Sequence, residues 1–455
     1  MNTLILASLH WRNTKMNNNI KQTGSSKSIQ KTGLKGMFRS LESYNFRLFF
    51  MGQSVSLIGT WIQRIAMPWL VYDLTHSVFL LGLIGFTGQL PVFLLGPFAG
   101  VLTDRWNRRR LLLYTQALAM TQAFAIAALI FLGIVQVWMI VVLSIMLGCI
   151  SAFDGPARQS FMLEMVGKKD DLSNAIALNS TMVNGARLIG PSIAGILIAS
   201  TGEGVCFLLN GISYLVVIVS LLRMRLAPKV EKSKQPQFIA QFKEGFAYTF
   251  GFAPIKAVIL LLALISLMGM PYTVLMPVFA KEILHGGAHT FGFMMGATGF
   301  GALSGALYLA TRKNVVGLER LIPMASALFG SGLIAFSFSR YLPISLFLLV
   351  FTGLGMMMQM ASSNSIIQTI VDDDKRGRVM SFYTMALMGT APFGSLLAGS
   401  LAQWIGAPNT LIIGGTSCVV GAIVFTRNLP KLKAQIRPIY IQQGIMESPI
   451  SIIKE

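Results

Sequence analysis

Three ionisable residues sit inside apolar stretches where a charge is costly. Arg64 and Arg187 each interrupt a run long enough to cross a bilayer, and Asp154 lies near the end of another. An arginine at the centre of a bilayer costs about 2.5–3.5 kcal/mol on insertion scales, so such a charge is retained for a task or for a partner. Two arginines could together form a cationic patch for an anionic or catecholate cargo. Alternatively, each is held in a buried pair or by Gln, Asn or backbone carbonyl groups. Asp154 could carry a proton or pair with Arg158, one turn further on. Gln63, Asn179, Asn184, Gln359 and Asn364 add neutral donors and acceptors that could hold a cargo or join helices.

Other chemistries find little support. No GxxxxGK[ST] sequence is present, which argues against ATP drive within this chain. The histidines His10, His76, His285 and His289 form no ligand cluster, and Cys149, Cys206 and Cys418 form no CxxC pair, so neither a metal site nor a cofactor is expected. A nucleophile–base set within the spans is also lacking, so the chain does not read as an enzyme.

The elements that must position these residues follow from composition. Apolar residues make up 54% of the chain and charged ones only 12%, yet the net charge is +20. A water-soluble protein with this surface would expose large apolar patches; in a bilayer the same surface faces lipid. A span needs about 20 mainly apolar residues, and twelve such runs occur: 48–71, 79–103, 111–132, 137–157, 174–200, 205–225, 256–281, 290–311, 321–339, 342–365, 379–404 and 408–427. Of the 37 basic residues, all but Arg64, Arg187, Lys281 and Arg340 fall on one side of this arrangement, the side bearing both termini. By the positive-inside rule that side is cytoplasmic. No folded polar domain is long enough to present a nucleic-acid surface, so the basic balance marks topology.

The expected organisation is an all-α polytopic membrane protein of twelve transmembrane helices in two six-helix halves. Residues 1–46 form a polar, disordered cytoplasmic arm, 47–225 the first half and 226–255 a cytoplasmic central loop. Residues 256–427 form the second half and 428–455 a cytoplasmic tail. The central loop contains an amphipathic stretch from Phe238 to Phe252 that suits a membrane surface. Gly190-Pro191-Ser192-Ile193-Ala194-Gly195 returns as Gly394-Ser395-Leu396-Leu397-Ala398-Gly399 after about 204 residues, which suggests that the halves are diverged copies. Gly190 and Pro191 also predict a kink in the fifth span, since proline removes one helix hydrogen bond.

The second span closes with Gly100-Val101-Leu102-Thr103-Asp104-Arg105-Trp106-Asn107-Arg108-Arg109-Arg110. This resembles the GxLxDRxGRR loop of the major facilitator superfamily, with Asn107 in place of the usual glycine. The resemblance implies a gating role for Gly100, Asp104, Arg105, Arg108 and Arg109, with Asp104 latching the halves in the outward-facing state; the basic cluster also sets topology. The counterpart after Gly305 keeps Arg312 and Lys313 but has no aspartate. A wider set is similar to the bacterial exporter branch containing enterobactin exporters and macrolide efflux proteins. It comprises Gly59-Thr60-Trp61-Ile62-Gln63-Arg64, Phe153-Asp154-Gly155-Pro156-Ala157-Arg158, Arg187-Leu188-Ile189-Gly190-Pro191 and Arg376-Gly377-Arg378. Ala186, Leu188, Gly190, Pro191, Ala194 and Gly195 also resemble a degenerate antiporter signature, with two glycines replaced by alanine.

The resemblance implies a monomeric secondary transporter in a bacterial inner membrane. It would export a small organic molecule, such as a siderophore, macrolide or other drug, by alternating access in exchange for protons. The substrate would lie between the halves near Arg64 and Arg187, with membrane lipid around the bundle. An uptake carrier or a lipid flippase for an anionic substrate is the alternative on the same fold.

Overall fold

A computed structural model describes residues 38–167, 171–226, 238–312, 314–372 and 374–446. Among these residues there is no strand. Six long helices come first: α1 (Tyr44–Thr75), α2 (Val78–Arg105), α3 (Arg108–Phe131), α4 (Val137–Val166), α5 (Leu172–Thr201) and α6 (Glu203–Arg223). A shorter helix, α7 (Phe238–Gly251), follows where the amphipathic stretch is expected. Six more complete the bundle: α8 (Ala253–Ile283), α9 (Ala288–Ala310), α10 (Leu318–Phe338), α11 (Leu342–Ile370), α12 (Arg376–Ile405) and α13 (Ala407–Gln442).

Eleven helices are long and apolar enough to cross a membrane. The twelfth long helix, α1, is diluted by Gln53, Gln63 and Arg64, yet Gln53 and Gln63 are buried and the helix packs along α5 and α6. Many large apolar side chains face outward, including Phe131, Trp138, Leu222, Phe347 and Trp404. On a multi-pass protein this is the lipid-facing surface.

Two boundaries differ from the hydropathy reading. The ordered chain begins before residue 47: Arg39–Glu42 form a 3-10 turn, and Ser40 Oγ donates to Asp171 O and Asn174 Oδ1, both at 2.8 Å. Asn45 also exchanges hydrogen bonds with the backbone of Arg225. Polar contacts, invisible to an apolar scan, bind this segment to the ends of α5 and α6. The remainder of the arm, residues 1–37, lies outside the described residues. The tail differs too, because α13 continues to Gln442. Leu432, Ile436 and Tyr440 recur at four-residue spacing on its buried face, while Lys433 pairs with Glu319 at 3.5 Å. Charges end the apolar run near 427 without ending the helix.

Neither α8 nor α12 is a regular helix. Wider π turns occupy Ile265–Gly269 and Phe279–Ile283 in α8 and Met385–Gly389 in α12. Such turns leave main-chain carbonyls without their helical donors. Ser266 Oγ supplies Leu387 O at 2.5 Å, and Thr390 Oγ1 bonds Ala386 O at 2.9 Å. The first helix of each half ends at a left-handed histidine, His76 (φ 51°) and His285 (φ 50°), an echo of the internal repeat.

The two halves meet at one end of the bundle and part toward the other. The near end carries α7 and the described chain ends; the far end carries the α1–α2 and α11–α10 connections. On α2, a Cβ at Gly82 would fall 2.8 Å from Gly399 Cα of α12, and one at Gly85 3.0 Å from Ser395 Cβ. One face of α2 then continues through Phe93, whose ring lies against Gly389 and Phe393, to Gly96 and Gly100. A Cβ at Gly96 or Gly100 would meet nothing within 4 Å. The α5–α9 pair repeats the pattern. Gly195 and Gly292 are in backbone contact, Ser192 meets Gly296, and Gly185 has open space. The last glycines of the repeated sequence motif, Gly195 and Gly399, are thus both the points where one half grips the other.

Candidate functional site

Arg64 lies past the midpoint of α1 and Arg187 at the middle of α5. Trp61 stands one turn before Arg64 on the same helix face. Its indole collects both charges: the Arg64 guanidinium carbon is 5.1 Å and that of Arg187 5.4 Å from the ring centroid. Gly190 makes this approach feasible, since a Cβ there would fall 2.5 Å from Trp61 Cβ. Gly190 therefore makes room for the indole as well as preceding Pro191, whose carbonyl abuts Gly292 of α9.

Among the described residues neither arginine has an ion pair or a side-chain hydrogen bond. Arg64 is exposed and Arg187 half-buried, although both sit deep along their helices. They therefore line open space within the bundle. Tyr272 of α8 is close enough to Arg187 for electrostatic interaction, and the backbone of Arg187 touches Gly299 of α9. The pair stands at the boundary between the halves. Each cation–π contact contributes about 0.5–2 kcal/mol, less than the insertion cost of an arginine. Water or an anion must supply the rest.

The neutral polar residues fall into two groups. Gln63 is buried and fully engaged: it donates to Gln122 Oε1 at 3.0 Å and accepts from Asn210 Nδ2 at 2.6 Å. Its role is to bind α1 to α3 and α6. Gln359 is likewise buried and donates to Ser363 Oγ at 3.3 Å within α11. Both residues are buried and do not face open space in this conformation, although Gln359 Oε1 has no hydrogen-bond partner among the described residues. Asn179 and Asn184 are half-buried on α5 below Arg187, and Asn184 donates to Ser180 O at 2.9 Å. Asn364 accepts from Gln368 at 3.0 Å.

Asp154 takes the paired role. It accepts from Thr115 Oγ1 at 2.9 Å and Gln116 Nε2 at 2.8 Å, and forms an ion pair with Arg158. At the start of α3, Arg108 pairs with Glu164 of α4 at 2.5 Å. Arg109 donates to Leu221 O and Leu222 O at the end of α6, both at 2.8 Å. These arginines fasten α3 to its own half. Asp104 and Arg105 belong to α2, but their side chains lie outside the described residues. A separate cavity of about 520 Å³ opens at the near end between α7, α11 and α13, lined by Tyr248, Asp372 and Gln443 among others. It does not include the arginine pair.

Sequence reasoning found the two arginines but missed Trp61, Gln122 and Asn210. The one-turn spacing from Trp61 to Arg64 was an available signal. Nothing in the sequence places Gln122 and Asn210 opposite Gln63.

At the far end, Lys281 Nζ of α8 donates to Asp73 Oδ1 of α1 at 2.6 Å, and Tyr72 OH to Glu282 Oε1 at 3.3 Å. Each half contributes two neighbouring residues to this crossed pair of contacts.

Two six-helix halves, linked through α7 and meeting around a pair of arginines, are the architecture of the major facilitator fold. The chain belongs to the transmembrane secretion effector family, whose model matches residues 35–447. It is 28% identical over 397 residues to the staphyloferrin A transporter of Staphylococcus aureus, covering 86% of this chain and 98% of that protein. Macrolide efflux protein A of Streptococcus pyogenes is 22% identical over 397 residues, covering 84% and 97%. Among solved structures, a bacterial homologue of the human lysosomal transporter Spinster, inward-facing and unoccupied, superposes with a TM-score of 0.66 at 13% identity. It covers 86% of this chain and 98% of that one. The chain is a transporter of this superfamily and not an enzyme.

Proposed function

We propose that the protein exports a small organic molecule across the bacterial inner membrane by alternating access, in exchange for protons, with both termini cytoplasmic. The observation that carries this reading is the shape of the bundle. The halves are sealed at the far end by glycine contacts and crossed polar bonds, and they part at the near end, beside Arg64 and Arg187. With the basic near end cytoplasmic, this is a conformer that loads from inside. The name of the macrolide efflux relative supports the direction. Gly100, Asp104 and Arg105 would act when the near end closes, and Gly190 with Pro191 would hold the cavity wall. In this reading Asp154 is a structural member of its network, and proton exchange uses other groups.

The test begins with a deletion strain, screened for a metabolite it retains or a drug to which it becomes sensitive. That compound should then accumulate in energised everted vesicles containing the protein, and a protonophore should abolish the accumulation. Loss of the compound from everted vesicles on energisation would exclude export and favour uptake. Accumulation indifferent to the protonophore would exclude proton drive.

A further inference from the structure

We infer that the Trp61–Arg64–Arg187 cluster is a binding site for a small molecule carrying at least two negative charges, so that the cargo is a polyanion such as a di- or tricarboxylate. The inference rests on the reading of the arginine pair as the cargo site, but not on transport direction or coupling.

Charge count is the first argument. Two guanidinium groups approach one ring, and among the described residues no carboxylate bonds to either. Like charges held together on one ring repel, and a monoanion leaves one of them uncompensated. The acidic network around Asp154 is already committed to Arg158, Thr115 and Gln116.

Geometry is the second. Both guanidinium carbons lie within 5.4 Å of the same indole centroid. This common ring bounds how far apart the two guanidinium groups can be, and two acid groups on one small skeleton suit a separation of that order. Arginine is the side chain suited to this, since its planar fork grips a carboxylate through two parallel bonds. Trp61 holds the forks in place, and Gly190 holds Trp61, so much of the ordering is completed before a ligand arrives. The same cluster repels cations. Of the chemical classes that a drug exporter can take, lipophilic amines and phosphonium ions are disfavoured here.

The experiment uses the full-length protein in nanodiscs of neutral phospholipid, at fixed ionic strength, with binding read by calorimetry. Citrate, phthalate, benzoate and tetraphenylphosphonium are the probes. Citrate or phthalate should bind at least tenfold more tightly than benzoate, and tetraphenylphosphonium should not compete. Arg187→Gln and Arg64→Gln should each weaken the dianion at least tenfold, while leaving benzoate within a few-fold. Arg187→Lys, which keeps the charge but loses the fork, should fall between. If Arg64→Gln fails to accumulate as a monodisperse protein, the two Arg187 variants carry the test. The inference is overturned if neither dianion binds, if benzoate binds as tightly, or if the Arg187 variants bind as the unaltered protein does. Dianion binding without accumulation in everted vesicles would leave this site standing and remove the export reading.

Discussion

At the residue scale, the site depends on contacts that a hydropathy plot cannot rank. Gly190 and Gly185 stand little more than one turn apart on α5, both in helical conformation, but only Gly190 meets Trp61. Gly190→Ala should lower stability by about 1–3 kcal/mol through overpacking, whereas Gly185→Ala should be neutral or stabilising by about 0.5–1 kcal/mol from its gain in helix propensity. Thermal unfolding of the two variants in detergent checks this. Asp154→Asn should cost roughly 1–3 kcal/mol, because a charged acceptor bonded to Thr115, Gln116 and Arg158 is lost. Its transport should keep the pH profile of the unaltered protein once corrected for amount. A profile displaced or flattened by this change would make Asp154 the proton carrier after all.

At the element scale, the far-end seal is built from side chains of α1 and α8. Exposed ion pairs contribute little, about 0–1 kcal/mol, but in the proposed cycle this one would also bias which conformer is populated. Asp73→Asn and Lys281→Met should each shift the population toward the outward-open form and raise the rate at which far-end cysteine probes are labelled. The exchange Asp73→Lys with Lys281→Asp should return the rate toward the original value. Rates unchanged in all three would mean that the glycine contacts seal this end alone. Helix existence was legible in the sequence, since twelve apolar runs match twelve long helices. Helix ends were not. Ser40 and Asn45 extend the ordered chain backward through polar bonds, and α13 outlasts its apolar run because Leu432, Ile436 and Tyr440 keep helical spacing between lysines and arginines. The π turns were equally hidden, since they depend on carbonyls in α12 finding hydroxyl donors such as Ser266 in α8.

At the scale of the whole molecule, the arginine pair was legible because charge in an apolar run is conspicuous, while its convergence on one ring needed α1 and α5 in their packed positions. Orientation is open to direct test. In a Cys149→Ser background, where the remaining Cys206 and Cys418 are buried, Gly96→Cys and Gly185→Cys should react with an impermeant maleimide in everted vesicles and be protected in right-side-out ones. The reverse pattern would invert the assignment of the near end to the cytoplasm.

The contact of the Phe93 ring with Gly389 and, edge-on, with Phe393 has a mechanical meaning. It falls near the middle of α2, with arms on either side of about 18–22 Å at 1.5 Å per residue. A helix held near its midpoint behaves as a lever with nearly equal arms. In the proposed cycle, a tilt about this point that brings Gly100 against the opposite half would lift Gly82, which lies farther from Phe93 along the helix, from Gly399 by a larger distance. In the proposed alternating-access cycle, a molecule hinged in this way would have difficulty holding both mouths open at once, and the position of the fulcrum would guard against a leak.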